Sequence, residues 1–290
     1  MKPVPFDYHV PSSIAAAVDL LQTLPNARVL AGGQSLVPMM NLRAAAPSHL
    51  IDLGNIPDLC GIQETALGLR IGAMTTQRSI ERSPIIRAHC PLLGETVEHV
   101  GHQQTRNRGT IGGSLCHLDP GAELPVAAAA LEATLTVAGP NGSRTLLFDE
   151  FPAGYLTTTL EPDEILTHID LRKALPREGY AFFEFNQRPA DFAVVSVAVL
   201  LALDGDEVSQ VRITLGGVDF APIRLLEAEA ALVGKRLDDK ALEAAAAIAA
   251  VRPCEGDEVS PAKFRQHLAG VFVRRALHKA MGRTKVSANV

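Results

Sequence analysis

Apolar residues change their spacing along the chain, and the changes mark out its elements. Near the start, Ile14, Val18 and Leu21 recur at i, i+4, i+7 spacing, the stripe of an amphipathic helix that Ser12 or Ser13 can cap. Pro25-Asn26 ends that helix. Ala27-Arg28-Val29-Leu30-Ala31 predicts a short strand running into Gly32-Gly33. A short helix is expected from Pro38 to Arg43, and a second strand at Leu50-Ile51-Asp52-Leu53, stopped by Gly54-Asn55. Strand, glycine turn, helix and strand is the order of a small α/β unit.

From about Pro57 the texture differs. Leu67, Leu69 and Ile71 alternate with Gly68, Arg70 and Gly72, as in a half-buried strand. Helical spacing returns over Thr76–Glu81 and Leu92–Val100, and a polar, glycine-rich stretch follows from Gly101 to Gly121. Pro125 opens an alanine-rich helix to Ala133. The turn Gly139-Pro140-Asn141-Gly142 then joins two strands in a hairpin, and Ile165, Thr167, Ile169 and Leu171 alternate again. This middle part is expected to be built on an antiparallel sheet.

Lys173 to Gly179, with Pro176, is the linker candidate. Beyond it come Tyr180–Phe185, an apolar run from Phe192 to Leu203, and the alternating strand Val211, Ile213, Leu215. Three helices follow: Pro222 to Val233, Asp238 to Val251, and one opened by Ser260-Pro261 and stopped at Gly282. The expected fold class is therefore α+β in three units: 1–56, a small α/β unit; 57–175, an antiparallel sheet with helices; and 176–290, three antiparallel strands and three helices.

Composition narrows the function. With 290 residues, 47% of them hydrophobic, the chain can bury several cores. A net charge of -5, with no Lys/Arg run longer than a pair, argues against a nucleic-acid surface. Phe192–Leu203 is too short to cross a bilayer, and Met1-Lys2-Pro3-Val4-Pro5 lacks the apolar core of a secretory leader. The expected location is the cytoplasm. Cys60, Cys90, Cys116 and Cys254 are scattered without a C-x-x-C pair, and His99 and His102 lack an accompanying carboxylate motif. No metal ligand set is expected.

Two glycine turns carry the candidate chemistry. In Ala31-Gly32-Gly33-Gln34-Ser35-Leu36, after a strand and before a helix, successive N–H groups and the Ser35 hydroxyl can form a nest for phosphate. An ordinary glycine turn explains that segment equally well on its own. In Thr110-Ile111-Gly112-Gly113-Ser114, glycines and small hydroxyls again offer exposed amides, and Asp119 and Glu123 follow as acceptors for ribityl or ribose hydroxyls. Here the alternative is a long loop capped by Asp119-Pro120. Two such turns together favour one extended phosphate-bearing cofactor held between units. The rival signatures, G-x-x-x-x-G-K-[ST], G-x-G-x-x-G and G-x-S-x-G, do not occur at these turns. No triad or dyad presents itself as catalytic.

Ala31-Gly32-Gly33-Gln34-Ser35-Leu36-Val37-Pro38-Met39-Met40-Asn41-Leu42-Arg43 resembles the first FAD-binding signature of the flavoprotein medium subunits of molybdenum hydroxylases. Thr110-Ile111-Gly112-Gly113-Ser114, with Asp119-Pro120 and Glu123, is similar to the second. Asp191-Phe192-Ala193-Val194-Val195, Gly216-Gly217-Val218 and Pro222-Ile223-Arg224 resemble the C-terminal domain of that family. The resemblance implies FAD held by Ala31 to Leu36 and by Thr110 to Ser114. It places Asp119 and Glu123 near the ribityl chain and flavin, with Leu166 and Arg188 as further contacts. It also implies a large molybdopterin subunit and a small subunit with two iron–sulfur clusters as partners, in a heterotrimer that can double. Electrons would pass from the clusters through FAD to an outside acceptor. A self-sufficient FAD-dependent oxidoreductase of similar fold is the alternative.

Overall fold

The computed structural model describes residues 1–286, the side chains of 285 and 286 excepted. Positions 287–290 of the expected C-terminal unit lie outside the described residues. The first part runs β1 (Asp7–His9), α1 (Ile14–Thr23), β2 (Ala27–Leu30), α2 (Leu36–Asn41), β3 (His49–Asp52). Its sheet has the order β1-β3-β2 and is parallel throughout, so helices must carry the chain back between strands. The Ser13 side chain caps α1 by accepting from the Ala16 amide at 3.2 Å. Ala17 and Val18 then pack with Ile51 and Leu53. β1 is invisible to hydrophobic patterning because Asp7 and Tyr8 are exposed; pairing with β3 makes it a strand. α2 starts before Pro38 rather than at it, which costs little because first-turn amides lack helical partners anyway.

The second part contains β4 (Ile62–Glu64), β5 (Leu69–Gly72), α3 (Gln77–Arg82), α4 (Pro84–His89), α5 (Pro91–His99), α6 (Gln103–Arg108), α7 (Ile111–His117) and α8 (Glu123–Ala130). After these come β6 (Thr134–Gly139), β7 (Gly142–Leu147), the small ribbon β8 (Pro152–Gly154) and β9 (Thr157–Thr158), and β10 (Ile165–Leu171). The antiparallel sheet has the order β4-β5-β10-β6-β7. Leu67 does not belong to the expected alternation: it is 93% exposed at the tip of a Thr65–Gly68 turn, while Leu69 and Ile71 face the core. The Gly139–Gly142 hairpin forms as expected.

The polar, glycine-rich stretch from Gly101 to Gly121 contains two helices, α6 and α7, which removes the long-loop alternative for the second glycine segment. Neither helix has the apolar stripe that sequence reading depends on. α6 is polar all round and is held from outside: Arg106 donates to Glu81 at 2.9 Å and to the Val100 and Gly101 carbonyls. α7 contains two glycines, each weakening a helix by about 1 kcal/mol, but Thr110 caps it and Ile111, Gly112 and Leu115 are buried. α8 runs from Glu123 to Ala130 instead of from Pro125 to Ala133. It ends where Glu132 takes a left-handed φ of 50°.

The last part is β11 (Gly179–Phe185), β12 (Val195–Asp204), β13 (Glu207–Gly216), β14 (Ile223–Arg224), α9 (Leu226–Leu232), α10 (Asp239–Ala250) and α11 (Ala262–Val286). Its antiparallel sheet has the order β11-β12-β13-β14. The fourth strand, β14, occupies the beginning of the expected Pro222 helix, which delays α9 to Leu226. α11 continues through Gly282 because it packs along the sheet and α10, and that burial outweighs one glycine. β12 explains the long apolar run: Ala198 and Leu200 face α8 in one core, and Val197, Val199 and Leu201 face α11 in another.

Glu95 on α5 ties the second part to the third. Its carboxylate accepts from the Phe182 amide at 2.8 Å, from Lys279 at 3.0 Å and from Arg283 at 2.6 Å. Burial pushes its pKa up, but the Arg283, Phe182 and Lys279 hydrogen bonds outweigh that and hold it below the ordinary carboxylate range. Stability from this group is therefore present above the ordinary range and is lost as pH falls through the lowered value. Glu95→Ala is expected to cost about 1–3 kcal/mol at neutral pH. In denaturant titrations the difference from wild type should shrink in acid.

Candidate cofactor-binding site

The loop Ala31–Ser35 leaves the C-terminal end of β2, the edge where parallel sheets open toward ligands. Gly33 has a φ of 72°, which a side chain tolerates poorly, and Gln34 Nε2 donates to the Gly32 carbonyl at 3.1 Å to fold the loop. Among the described residues no acceptor takes the backbone N–H groups of Gly32, Gly33, Gln34 or Ser35. The Ser35 hydroxyl does not cap α2. Four consecutive open amides beside a hydroxyl suit an anion, and a diphosphate would satisfy them together.

The second turn is built differently from the expectation of exposed amides. The Ile111 N–H donates to the Thr75 carbonyl at 3.1 Å, Gly112 to Ala73 at 2.8 Å, and Ser114 to Thr110 at 3.1 Å. Gly113 donates to the Thr110 hydroxyl at 3.0 Å. These amides are spent inside the fold, so what this segment can offer a ligand is its surface and the Ser114 hydroxyl. Its glycines serve packing: a Cβ on Gly112 would lie 2.6 Å from Ala73 Cβ.

The two turns touch. A Cβ on Gly32 would stand 2.2 Å from the Arg108 carbonyl oxygen and 2.7 Å from Gly109 Cα, and one on Gly113 would come within 3.3 Å of Ala31 Cβ. Gly109 in turn covers Gln77, whose Oε1 is buried without a hydrogen-bond partner. Sequence reading missed three neighbours. Tyr8 donates to Asp52 across the end of the parallel sheet, which raises the phenol pKa, and Arg108 lies close enough to oppose that rise. Arg108 is exposed, and its backbone carbonyl abuts Gly32 in the open loop. The position of Asp52 at the end of a parallel strand was one available clue, and Arg108 opens the second glycine segment; Tyr8 gave none.

Asp119 follows Leu118, which caps α7 at a φ of 50°, and its Oδ1 accepts from the Gly121 amide at 2.9 Å. The same turn is clamped to the third sheet, with Gly217 donating to Pro120 at 2.9 Å and Ala193 to Gly121 at 3.0 Å. Glu123 is only 3% exposed. Burial, then Glu184 and Asp119, against the pull of its own amide, push its pKa up to about 8. A carboxyl raised in this way favours its neutral form, which can donate as well as accept. Leu166 is buried in the central core and pairs with Val137. Arg188 is exposed on the loop before β12, where its carbonyl accepts from Asp191 at 3.1 Å. Neither enters the contact between the glycine turns. Among the described residues no group of three His, Cys, Asp or Glu side chains is placed to hold a metal, and no helix is long and apolar enough to cross a membrane.

Residues 4–173 match the model of the FAD binding domain in molybdopterin dehydrogenase, and residues 180–280 match the CO dehydrogenase flavoprotein C-terminal domain. The chain is 40% identical to the carbon monoxide dehydrogenase medium chain of Hydrogenophaga pseudoflava, over 98% of this chain and 99% of that one. It is 36% identical to the nicotine 6-hydroxylase medium subunit of Paenarthrobacter nicotinovorans, over 96% and 98%. A chain of the carbon monoxide dehydrogenase structure from H. pseudoflava superposes with a TM-score of 0.94 at 41% identity, covering 98% of this chain and 99% of that chain. Quinoline 2-oxidoreductase from Pseudomonas putida 86 superposes at 0.93 and 34% identity, covering 98% and 100%.

Because Gly113 lies against both Thr110 and Ala31, Gly113→Val should push the two turns apart and largely abolish FAD retention. Gly94→Ala, whose added carbon would meet Ile86 at an ordinary 3.6 Å, should retain it. Flavin absorbance of the purified variants decides the matter.

Proposed function

The chain belongs to the family of FAD-binding medium subunits of molybdenum hydroxylases, and we propose that within such a complex it is the electron-transfer subunit. In this reading it takes electrons from iron–sulfur clusters on a small partner subunit and passes them to an external acceptor, while a large molybdopterin subunit hydroxylates the substrate. The observation that carries the reading is the row of open amides at Gly32 to Ser35, pressed against the second glycine segment.

Bound FAD would supply the electron-accepting and electron-releasing ring, and the chain supplies position and electrostatics. The Gly32, Gly33, Gln34 and Ser35 amides and the Ser35 hydroxyl take the diphosphate, with Ala31 and Leu36 framing the loop. Arg108 adds positive charge beside it. Thr110, Ile111, Gly112 and Gly113 form the opposing wall, from which the Ser114 hydroxyl donates. Asp119 accepts from ribityl hydroxyls. Leu166 stands behind the wall, and Arg188 serves from the third part's loop. The division 1–56, 57–175 and 176–290, with FAD between the first two units, is supported by the grouping of strands into the three-, five- and four-stranded sheets.

A self-sufficient FAD oxidoreductase is the second reading. The match of residues 180–280 to a flavoprotein C-terminal domain of CO dehydrogenase favours the subunit. We assign the complex to the cytoplasm as a heterotrimer that can pair with a second copy.

The purified chain should show flavin absorbance, release FAD identified by mass, and lack iron–sulfur absorbance. It should co-purify with an iron–sulfur and a molybdopterin protein when these are co-expressed. Oxidation or reduction of a small substrate by the lone chain, at the rates of a complete enzyme, would overturn the subunit reading.

A further inference from the structure

The turn that carries Asp119 depends on the third sheet for its anchorage. Inside the turn, the Gly121 amide donates to Asp119 Oδ1 at 2.9 Å and the Ala122 amide to the Asp119 carbonyl at 3.0 Å. The Pro120 and Gly121 carbonyls are held from outside, by the Gly217 amide at 2.9 Å and the Ala193 amide at 3.0 Å. Ala193 lies just before β12 and Gly217 just after β13, so two neighbouring strand ends grip the turn. The fit is close. A Cβ on Gly121 would stand 2.8 Å from the Ala193 carbonyl oxygen and 3.1 Å from Phe192 Cβ.

One side chain holds both strand ends. Arg265, in the first turn of α11, directs Nη1 to the Val194 carbonyl at 2.6 Å and to the Gly217 carbonyl at 2.7 Å. Its Nη2 donates to Asp257 at 2.7 Å and its Nε to the Ser260 carbonyl at 3.2 Å, which fixes the fork in place. The side chain is only 15% exposed. The strand ends converge because Gly217 adopts a φ of 76°; a Cβ there would lie 2.3 Å from the Val194 carbonyl oxygen. Two carbonyl dipoles aimed at one point repel each other unless a donor stands between them, and a charged, rigid fork fills that role best. Gly217 gives its carbonyl to Arg265 and its amide to Pro120, so a shift of the guanidinium reaches the turn through a single residue.

We propose that Arg265 is a positioning residue of the flavin site, which sets the turn so that Asp119 presents its free carboxylate oxygen to the cofactor. That oxygen is Oδ2, which takes no donor among the described residues. The inference rests on the FAD reading, in which Asp119 accepts from ribityl hydroxyls. Arg265 acts through main chain and contacts no ligand.

The test uses the full chain. Without FAD, Arg265→Met should speed hydrogen exchange of the Ala193 and Gly217 amides by at least about tenfold. Arg265→Lys should fall between, because an ammonium replaces the Nη1 bonds but not the fork. With FAD titrated in, Arg265→Met should bind at least about tenfold more weakly, and the visible circular dichroism of the bound flavin should change. Asp119→Ala should lose a comparable factor, and the double variant should bind no more weakly than the weaker single one, since both remove the same contact. Leu242→Ala, a cavity in the core of the third part, should lower the melting temperature and leave FAD affinity unchanged. Unaltered exchange in Arg265→Met would overturn the grip on the turn. Losses that multiply in the double variant, or an equal loss in Leu242→Ala, would overturn action through Asp119. A wild-type chain that takes up no FAD would overturn the function proposed above, and the exchange rates would still decide whether Arg265 holds the turn.

Discussion

The backbone contact between Gly32 and the Arg108–Gly109 peptide is the constraint on which the site depends. Any side chain at position 32 would overlap the Arg108 carbonyl, so the loop after β2 can lie against the end of α6 only as bare main chain. That approach brings the open amides of the first turn beside Arg108 and sets Ala31 against Gly113. The two turns do not contribute alike. The first keeps its donors unspent, while the second uses its amides on Thr75, Ala73 and Thr110 and so becomes a rigid wall. A cleft with one adaptable lip and one fixed lip holds an extended ligand at little ordering cost, because most of the order exists before binding.

Rigidity on the fixed side comes from α8. Every residue of this helix is buried, and its alanines let it lie close to α5 and α7 on one side and to β12 and β13 on the other. Val126 fills the space that Gly216 leaves, where any Cβ would stand 2.5 Å from it. The Pro120-Gly121 turn is bonded to Gly217 and Ala193, and Arg265 holds the Val194 and Gly217 carbonyls at 2.6 and 2.7 Å. Asp119 and Glu123 are thus fixed with respect to the third sheet as firmly as to the second. The third part in this way is tied to the turn that carries Asp119 and Glu123.

Burying α8 also sets the chemistry of its first residue. Glu123 carries the only ionisable side chain on a helix that is otherwise apolar, and its acidic neighbours push it toward the neutral form. A buried carboxyl pushed toward its neutral form differs in kind from the charge-paired carboxylates elsewhere. Glu95 shows the contrast. It is half-buried too, yet two cations and an amide keep it ionised and make it an interdomain tie.

Much of this was legible in the chain of residues alone. Periodicity located α1, β2, β3, β10 and the β6–β7 hairpin, because each satisfies its own backbone and shows one apolar face. The glycine turns were legible because tight turns restrict which residues can occupy them. What stayed hidden depends on contacts between distant segments. α6 and α7 have no stripe and are held by Arg106–Glu81 and by packing of α7 against β10, α8 and Ala73; β1 and β14 are strands only because a neighbour offers an edge. The glycines of the second turn serve close packing of main chain, which the sequence did not reveal. Neither the nearness of Arg108 to the first turn nor the raised pKa of Glu123 could be read beforehand. Local patterns follow from backbone hydrogen bonding, which acts within a few residues. Packing, desolvation and charge coupling act through space, and only the tertiary structure decided which groups they join.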